Sequence, residues 1–121
     1  MSDVDPMAGP ALPMTMEEYE QLAARTVNPS LTREQRLLDA AAGLAEEAGE
    51  VLGLVRKHLF MAHPIDVARL TVELGDALWC LTTAAGALGV PLEGVAAANI
   101  AKLRKRYPDG YSDAKSADRD V

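Results

Sequence analysis

Cysteine occurs once in the 121 residues, as Cys80. A single thiol closes no disulfide within the chain, so no covalent staple supports the fold. Aromatic side chains are scarce: one Trp, one Phe and three Tyr, 4% of the sequence. The core is therefore expected to be aliphatic, built from Leu, Val and many Ala, and small enough to need oligomerisation, a metal or both. Basic charge is in deficit, 12 Lys and Arg against 18 Asp and Glu, a net charge of −6. A chain this acidic is not built to coat duplex nucleic acid through its overall field. Long apolar runs are missing too. The longest uncharged stretch, Ala77 to Leu92, contains Thr82, Thr83, Gly86, Gly89 and Pro91. It falls short of the roughly 20 apolar residues that span a bilayer. The opening residues have neither the basic n-region nor the apolar h-region of a signal peptide. The expectation is a cytoplasmic protein with no membrane and no nucleic-acid partner.

What is present is a globular composition, 49% hydrophobic, in a chain of one-domain length. Residues 1–14 hold Pro6, Gly9, Pro10 and Pro13 without periodicity and read as a flexible arm. Residues 15–111 read as the folded domain, and the polar residues 112–121 as a flexible tail. Thr15 with Glu18 forms a capping box and starts a first helix at Met16, running to about Val27. Thr32 with Gln35 is a second box, opening a long helix from Arg33 to about Leu59. Leu37, Leu38, Ala41, Leu44, Ala45, Ala48, Val51, Leu52 and Val55 recur along it at helical spacing. Pro64 suits the first turn of a third helix, with Asp66 near its N-terminus and Gly89 at C′. Pro91 opens a fourth, from Leu92 to about Tyr107, ended by Pro108-Asp109-Gly110. No useful stretch alternates with period 2. The class is all-α, of four-helix-bundle type, with two long helices packed antiparallel and shorter flanking ones.

Acidic residues cluster by pattern. The second helix carries Glu46-Glu47-Ala48-Gly49-Glu50, and the third carries Glu73-Leu74-Gly75-Asp76. Glu47 and Glu50 share a helical face, as do Glu73 and Asp76. A solvated charged face normally brings cations four residues on. Here Val51, Leu54, Ala77 and Cys80 stand there, and only Arg69, four before Glu73, offers a partner. Carboxylates facing one another in a bundle groove repel and raise each other's pKa. A hard divalent cation relieves that, and clustered carboxylates are the ligand set of Mg²⁺ or Mn²⁺. Both readings, metal site and solvated face, are open at this point. A di-iron site is disfavoured, because neither His58 nor His63 stands three after a Glu.

The fourth helix ends Asn99-Ile100-Ala101-Lys102-Leu103-Arg104-Lys105-Arg106-Tyr107. Cations near a helix C-terminus complement its dipole, which suffices for Arg104 and Lys105. The face of Asn99, Lys102 and Arg106 is a candidate phosphate contact if a metal cluster lies beside it. Gly43, Gly49, Gly53, Gly75 and Gly86 fall inside helices, where each costs about 1 kcal/mol against Ala. Close helix approach or ligand clearance would account for them. Trp79 shares a face with Asp76 and is either core or a platform for a base. Cys80 reads as a small buried hydrophobe.

Together these residues resemble a family. Glu46-Glu47-x-x-Glu50, then 22 residues, then Glu73-x-x-Asp76 is similar to the signature of the all-α nucleoside triphosphate pyrophosphohydrolases, the MazG-like group above all. The ending Asn99-x-x-Lys102-Leu103-x-x-Arg106-Tyr107-Pro108-Asp109-Gly110-Tyr111 also looks like the MazG-like pattern. The resemblance covers about residues 33–111. It implies a helical bundle that forms homodimers or homotetramers with the site near the subunit interface. It implies Mg²⁺-dependent hydrolysis of a nucleoside triphosphate between the α- and β-phosphates, giving the monophosphate and pyrophosphate. Glu47, Glu50, Glu73 and Asp76 would be metal ligands and Glu46 the general base. Arg69, Asn99, Lys102 and Arg106 would contact the substrate. The family often has a Lys one turn before the first acidic motif; Gly43 or Ala42 stands there in this chain. Phosphoribosyl-ATP pyrophosphohydrolases share the acidic motif, and a non-catalytic interaction module of the same fold is the alternative from another class.

Overall fold

The computed structural model describes residues 14–118. The expected arm, apart from Met14, lies outside the described residues, as do residues 119–121. The order is α1 (Met16–Ala24), α2 (Arg33–Phe60), α3 (Val67–Ala87), α4 (Leu92–Arg106) and the short α5 (Asp113–Ala117). Among the described residues there is no strand, only an isolated bridge between Pro108 and Gly110.

The caps form as their sequences require. Thr15 and Glu18 satisfy each other's backbone N–H groups at the start of α1, and Thr32 and Gln35 do the same at α2. α1 is shorter than its pattern suggests. It stops at Ala24, and the Ala23 carbonyl accepts from both the Thr26 backbone N–H at 3.0 Å and the Thr26 hydroxyl at 2.7 Å. Pro64 lies outside α3. The N-cap is Asp66, whose carboxylate accepts from Arg69 N at 3.0 Å. Gly89 takes φ +74 just past the C-cap Leu88, the left-handed position expected of a C′ glycine. Pro91 is the N-cap of α4 and provides no side-chain cap. Glu20 of α1 replaces it, accepting from Leu92 N at 2.9 Å. The fourth helix ends at Arg106, and part of the expected tail forms α5, capped by Ser112.

α2 and α3 form the main hairpin. They run antiparallel: Arg33, opening α2, donates its Nε to the carbonyl of Ala87, ending α3, at 2.6 Å. The two helices meet closely at Gly43, where a Cβ would stand 2.8 Å from Cys80 Sγ. Close approach thus accounts for Gly43. Gly49, Gly53, Gly75 and Gly86 face open space, with nothing within 4 Å of a Cβ. α1 packs on α3 and α4, held by Trp79 Nε1, which donates to Thr26 Oγ1 at 2.7 Å. α4 leaves α3 at a 99° bend, and no single described helix is long and apolar enough to cross a membrane.

The buried interior is the small, Ala-rich one expected, with less Leu and no Val. It consists of Ala23, Ala40, Cys80, Ala85, Ala87 and Leu92 with Thr82 and Thr83. The larger apolar residues lie outward. Leu38 is 71% exposed, Leu52 67% and Phe60 80%. Every buried residue of α3 falls between Cys80 and Ala87, in its second half. The hairpin is closed at that end and loosens toward Phe60 and Val67.

Candidate metal centre

The acids gather where the closed half gives way to the open one. Glu47 comes from the middle of α2, and Glu73 and Asp76 lie one turn apart on α3. One carboxylate oxygen from each lies within 4.8 Å of the other two. Glu47 and Glu73 are half-buried and Asp76 is exposed. Glu47 Oε2 is shut off from solvent and has no hydrogen-bond partner. A buried carboxylate oxygen left without a partner is costly.

The electrostatics follow from the crowding. Glu47 is raised from 4.5 to about 7. The largest cause is the Glu73 carboxyl facing it. Burial follows, then the charges of Asp76, Glu73 and Glu50. Adjacent carboxylates disfavour one another's charged form when no cation offsets them. Burial also raises the Cys80 thiol, and Glu47, Asp39, Asp76 and Glu46 add to it. Cys80 is therefore an inert thiol behind the acids, in keeping with its packing against Gly43. Burial and the charge of Asp76 raise the Tyr19 hydroxyl, which puts α1 beside the cluster.

The donor set is all oxygen, anionic and convergent, with one orphaned oxygen turned inward. Those features fit a hard divalent cation. The sequence names four ligands. Three come together here; Glu50 is exposed and acts on Glu47 through its charge. Glu46 and Glu50 line a groove of about 180 Å³ beside the cluster, with Gly49, Gly53, Lys57 and Arg69. Arg69 thus lies where its spacing suggests. Lys57 was not singled out by the sequence, although it shares a helical face with Glu46, Glu50 and Gly53.

The cations of α4 stand elsewhere. None of Asn99, Lys102 and Arg106 lines that groove. Arg106 is half-buried with its Nε shut away and without a partner. Next to it, the rings of Tyr107 and Tyr111 pack 5.6 Å apart. Trp79 is half-buried, and its N–H is committed to Thr26. The sequence shows both residues of that pair but not that α1 and α3 bring them together.

Neither histidine lies in this cluster. His58 Nδ1 stands 2.8 Å from the His63 carbonyl, a bond that closes the end of α2. Beyond them the groove continues into a wider cavity of about 610 Å³ between the loose ends of α2 and α3.

No curated protein and no solved structure matches the chain. Residues 35–111 do match a family model, that of the MazG nucleotide pyrophosphohydrolase domain, and they span both acidic motifs and the basic end of α4. The match covers well over half of the sequence, and the chain belongs to the MazG nucleotide pyrophosphohydrolase domain family.

Proposed function

We propose that the protein is a Mg²⁺-dependent nucleoside triphosphate pyrophosphohydrolase. It cleaves ribo- or deoxyribonucleoside triphosphates between the α- and β-phosphates and so clears the nucleotide pool. The observation that carries this is the convergence of Glu47, Glu73 and Asp76 from two helices, with one Glu47 oxygen buried and unpartnered. Glu47, Glu50, Glu73 and Asp76 would hold Mg²⁺, with Mn²⁺ as a substitute. The cation would supply charge neutralisation for the phosphate oxygens and Lewis acidity.

The chain's own groups do the rest. Glu46 is exposed and lines the groove beside the acids, which suits it to take the proton from a water attacking the α-phosphorus. The bond from that phosphorus to the bridging oxygen breaks, and pyrophosphate leaves. Arg69 neutralises phosphate charge from the groove wall. Asn99, Lys102 and Arg106 serve the same end from α4, and the Trp79 ring is available to a base.

A second copy of the chain would bring those α4 residues to the acids. One face of α2 supports such an assembly. Leu38, Ala41, Ala45, Ala48, Leu52, Val55 and Leu59 alternate at spacings of three and four, the seam of a coiled coil, and all but Val55 are exposed. A homodimer or homotetramer would cover that seam.

Product analysis tests the proposal. Ribo- and deoxyribonucleoside triphosphates and phosphoribosyl-ATP are incubated with Mg²⁺ or Mn²⁺ and either wild type or Glu50→Gln. The expected result is metal-dependent monophosphate plus pyrophosphate, lost in the variant. Orthophosphate release, or turnover untouched by Glu50→Gln, contradicts it.

A further inference from the structure

We propose that Lys57 is a phosphate-binding residue of this site and, with Arg69, forms a two-cation clamp at the open end of the α2–α3 hairpin. The inference rests on the hydrolase reading for the substrate it names, a triphosphate chain.

Six residues of α2 line the groove, and Glu46, Glu50, Gly53 and Lys57 among them form one row. They follow at spacings of four, three and four, a single helical face. Lys57 lies seven residues past Glu50, about 10 Å along the axis. α3 runs the other way, and Arg69 stands one turn before Glu73. Going from the acids toward the end of α2 therefore means going toward the start of α3. Both cations meet in the same groove, and both also line the wider cavity beyond it.

The acidic residue lining the wider cavity is engaged. Asp66 caps α3 by accepting from Arg69 N, so its carboxylate is committed to the backbone. Gly53 leaves the groove floor open between Glu50 and Lys57, with nothing within 4 Å of a Cβ. The other side of the acids offers no cation in the preceding turn. Gly43 holds that place, and its Cβ position is already contested by Cys80 Sγ at 2.8 Å. A long side chain has no room there. The clamp lies on the side where the helices have parted.

Lys57 also stands in the last turn of α2, where a cation complements the helix dipole. That role does not require a place in the groove and gives no dependence on phosphate. Arg56 is the natural control, an exposed cation of the same turn outside the groove.

The test is calorimetric titration of inorganic triphosphate, in the presence of Mg²⁺, into wild type, Lys57→Met, Lys57→Gln and Arg56→Met. Lys57 is exposed, and melting curves confirm that each variant is folded. Both Lys57 variants are expected to bind about tenfold more weakly or worse, the loss of one charge-assisted contact, with Arg56→Met unchanged. Equal affinity in the Lys57 variants, an equal loss in Arg56→Met, or no binding by wild type overturns the clamp. The two readings separate cleanly. Lys57-dependent triphosphate binding without pyrophosphate release from any nucleotide removes the hydrolase and keeps the clamp. Nucleotide turnover with undiminished binding in Lys57→Met does the reverse.

Discussion

The two ends of the α2–α3 hairpin are built from different residues and behave differently. At the closed end, Ala40, Gly43, Cys80, Ala85 and Ala87 are small, and the helices meet closely enough that Gly43 admits no side chain. At the open end, Leu59, Phe60, Ile65 and Val67 are large and remain more than half exposed. Small residues zip a helix pair; large ones with nothing opposite hold it apart or await another partner. The acids sit at the boundary. They are near enough to the closed half to be partly desolvated and near enough to the open half for a ligand to enter.

That contrast can be broken from either side. The largest effect is expected from Glu46→Gln, which removes the proposed base and leaves the cluster intact. Turnover number should fall by about 10²- to 10⁴-fold with metal affinity unchanged, read by pyrophosphate release and metal titration in parallel. A turnover number within a few-fold of wild type excludes that role.

Leu52→Glu should come next. It places a carboxylate in the apolar seam of α2, at a position 67% exposed in the single chain. Light scattering should show the assembly dissociating to monomers, with turnover lost alongside. An already monomeric wild type removes the premise.

Gly43→Ala acts on the closed end. The added Cβ meets Cys80 Sγ at 2.8 Å, and overpacking of this kind costs about 1–3 kcal/mol. The melting temperature should drop by several degrees, and Cys80→Ala should recover much of it, because the clash is with that sulfur. An additive double variant shows that the crowding lies elsewhere.

The smallest effect is one of pH. Glu47 has a folded pKa of about 7 against an ordinary 4.5. The folded chain therefore holds an extra proton between those values. Its contribution is complete below about pH 4.5 and is lost as pH rises through about 7. Metal-free protein should melt progressively lower across that window, and Glu47→Gln should flatten the slope. With divalent metal the trend should reverse, because ligands bind deprotonated.

Helix content and caps were legible in the sequence because they are local. Thr15 and Thr32 each find their partner three residues away, and Gly89 needs only its own φ. The i, i+3 spacing of Glu73 and Asp76 likewise fixes their common face. What was illegible depends on how distant elements meet. Trp79 of α3 commits its N–H to Thr26, just past the end of α1, and no spacing shows that. Lys57 shares a face with Glu50, but its meeting with Arg69 depends on the antiparallel register of the hairpin. The Ala part of the expected core is there, but the share of Leu and Val was overstated for a related reason. Period 3.6 marks apolar residues without telling which stripe faces the partner helix and which faces out. α2 carries more than one such stripe, and Ala40 is its sole buried residue. Lys102 and Arg106 read as neighbours of the acids, yet the 99° bend after α3 carries α4 in another direction.

The central claim is that Glu47, Glu73 and Asp76 form a divalent-metal centre. Its most direct test is a Mn²⁺ titration, followed by electron paramagnetic resonance, of wild type and Glu73→Gln at about pH 8 and about pH 6. The account predicts stoichiometric binding to wild type that weakens toward the lower pH and is largely lost in the variant. Binding that ignores both Glu73→Gln and pH would contradict it.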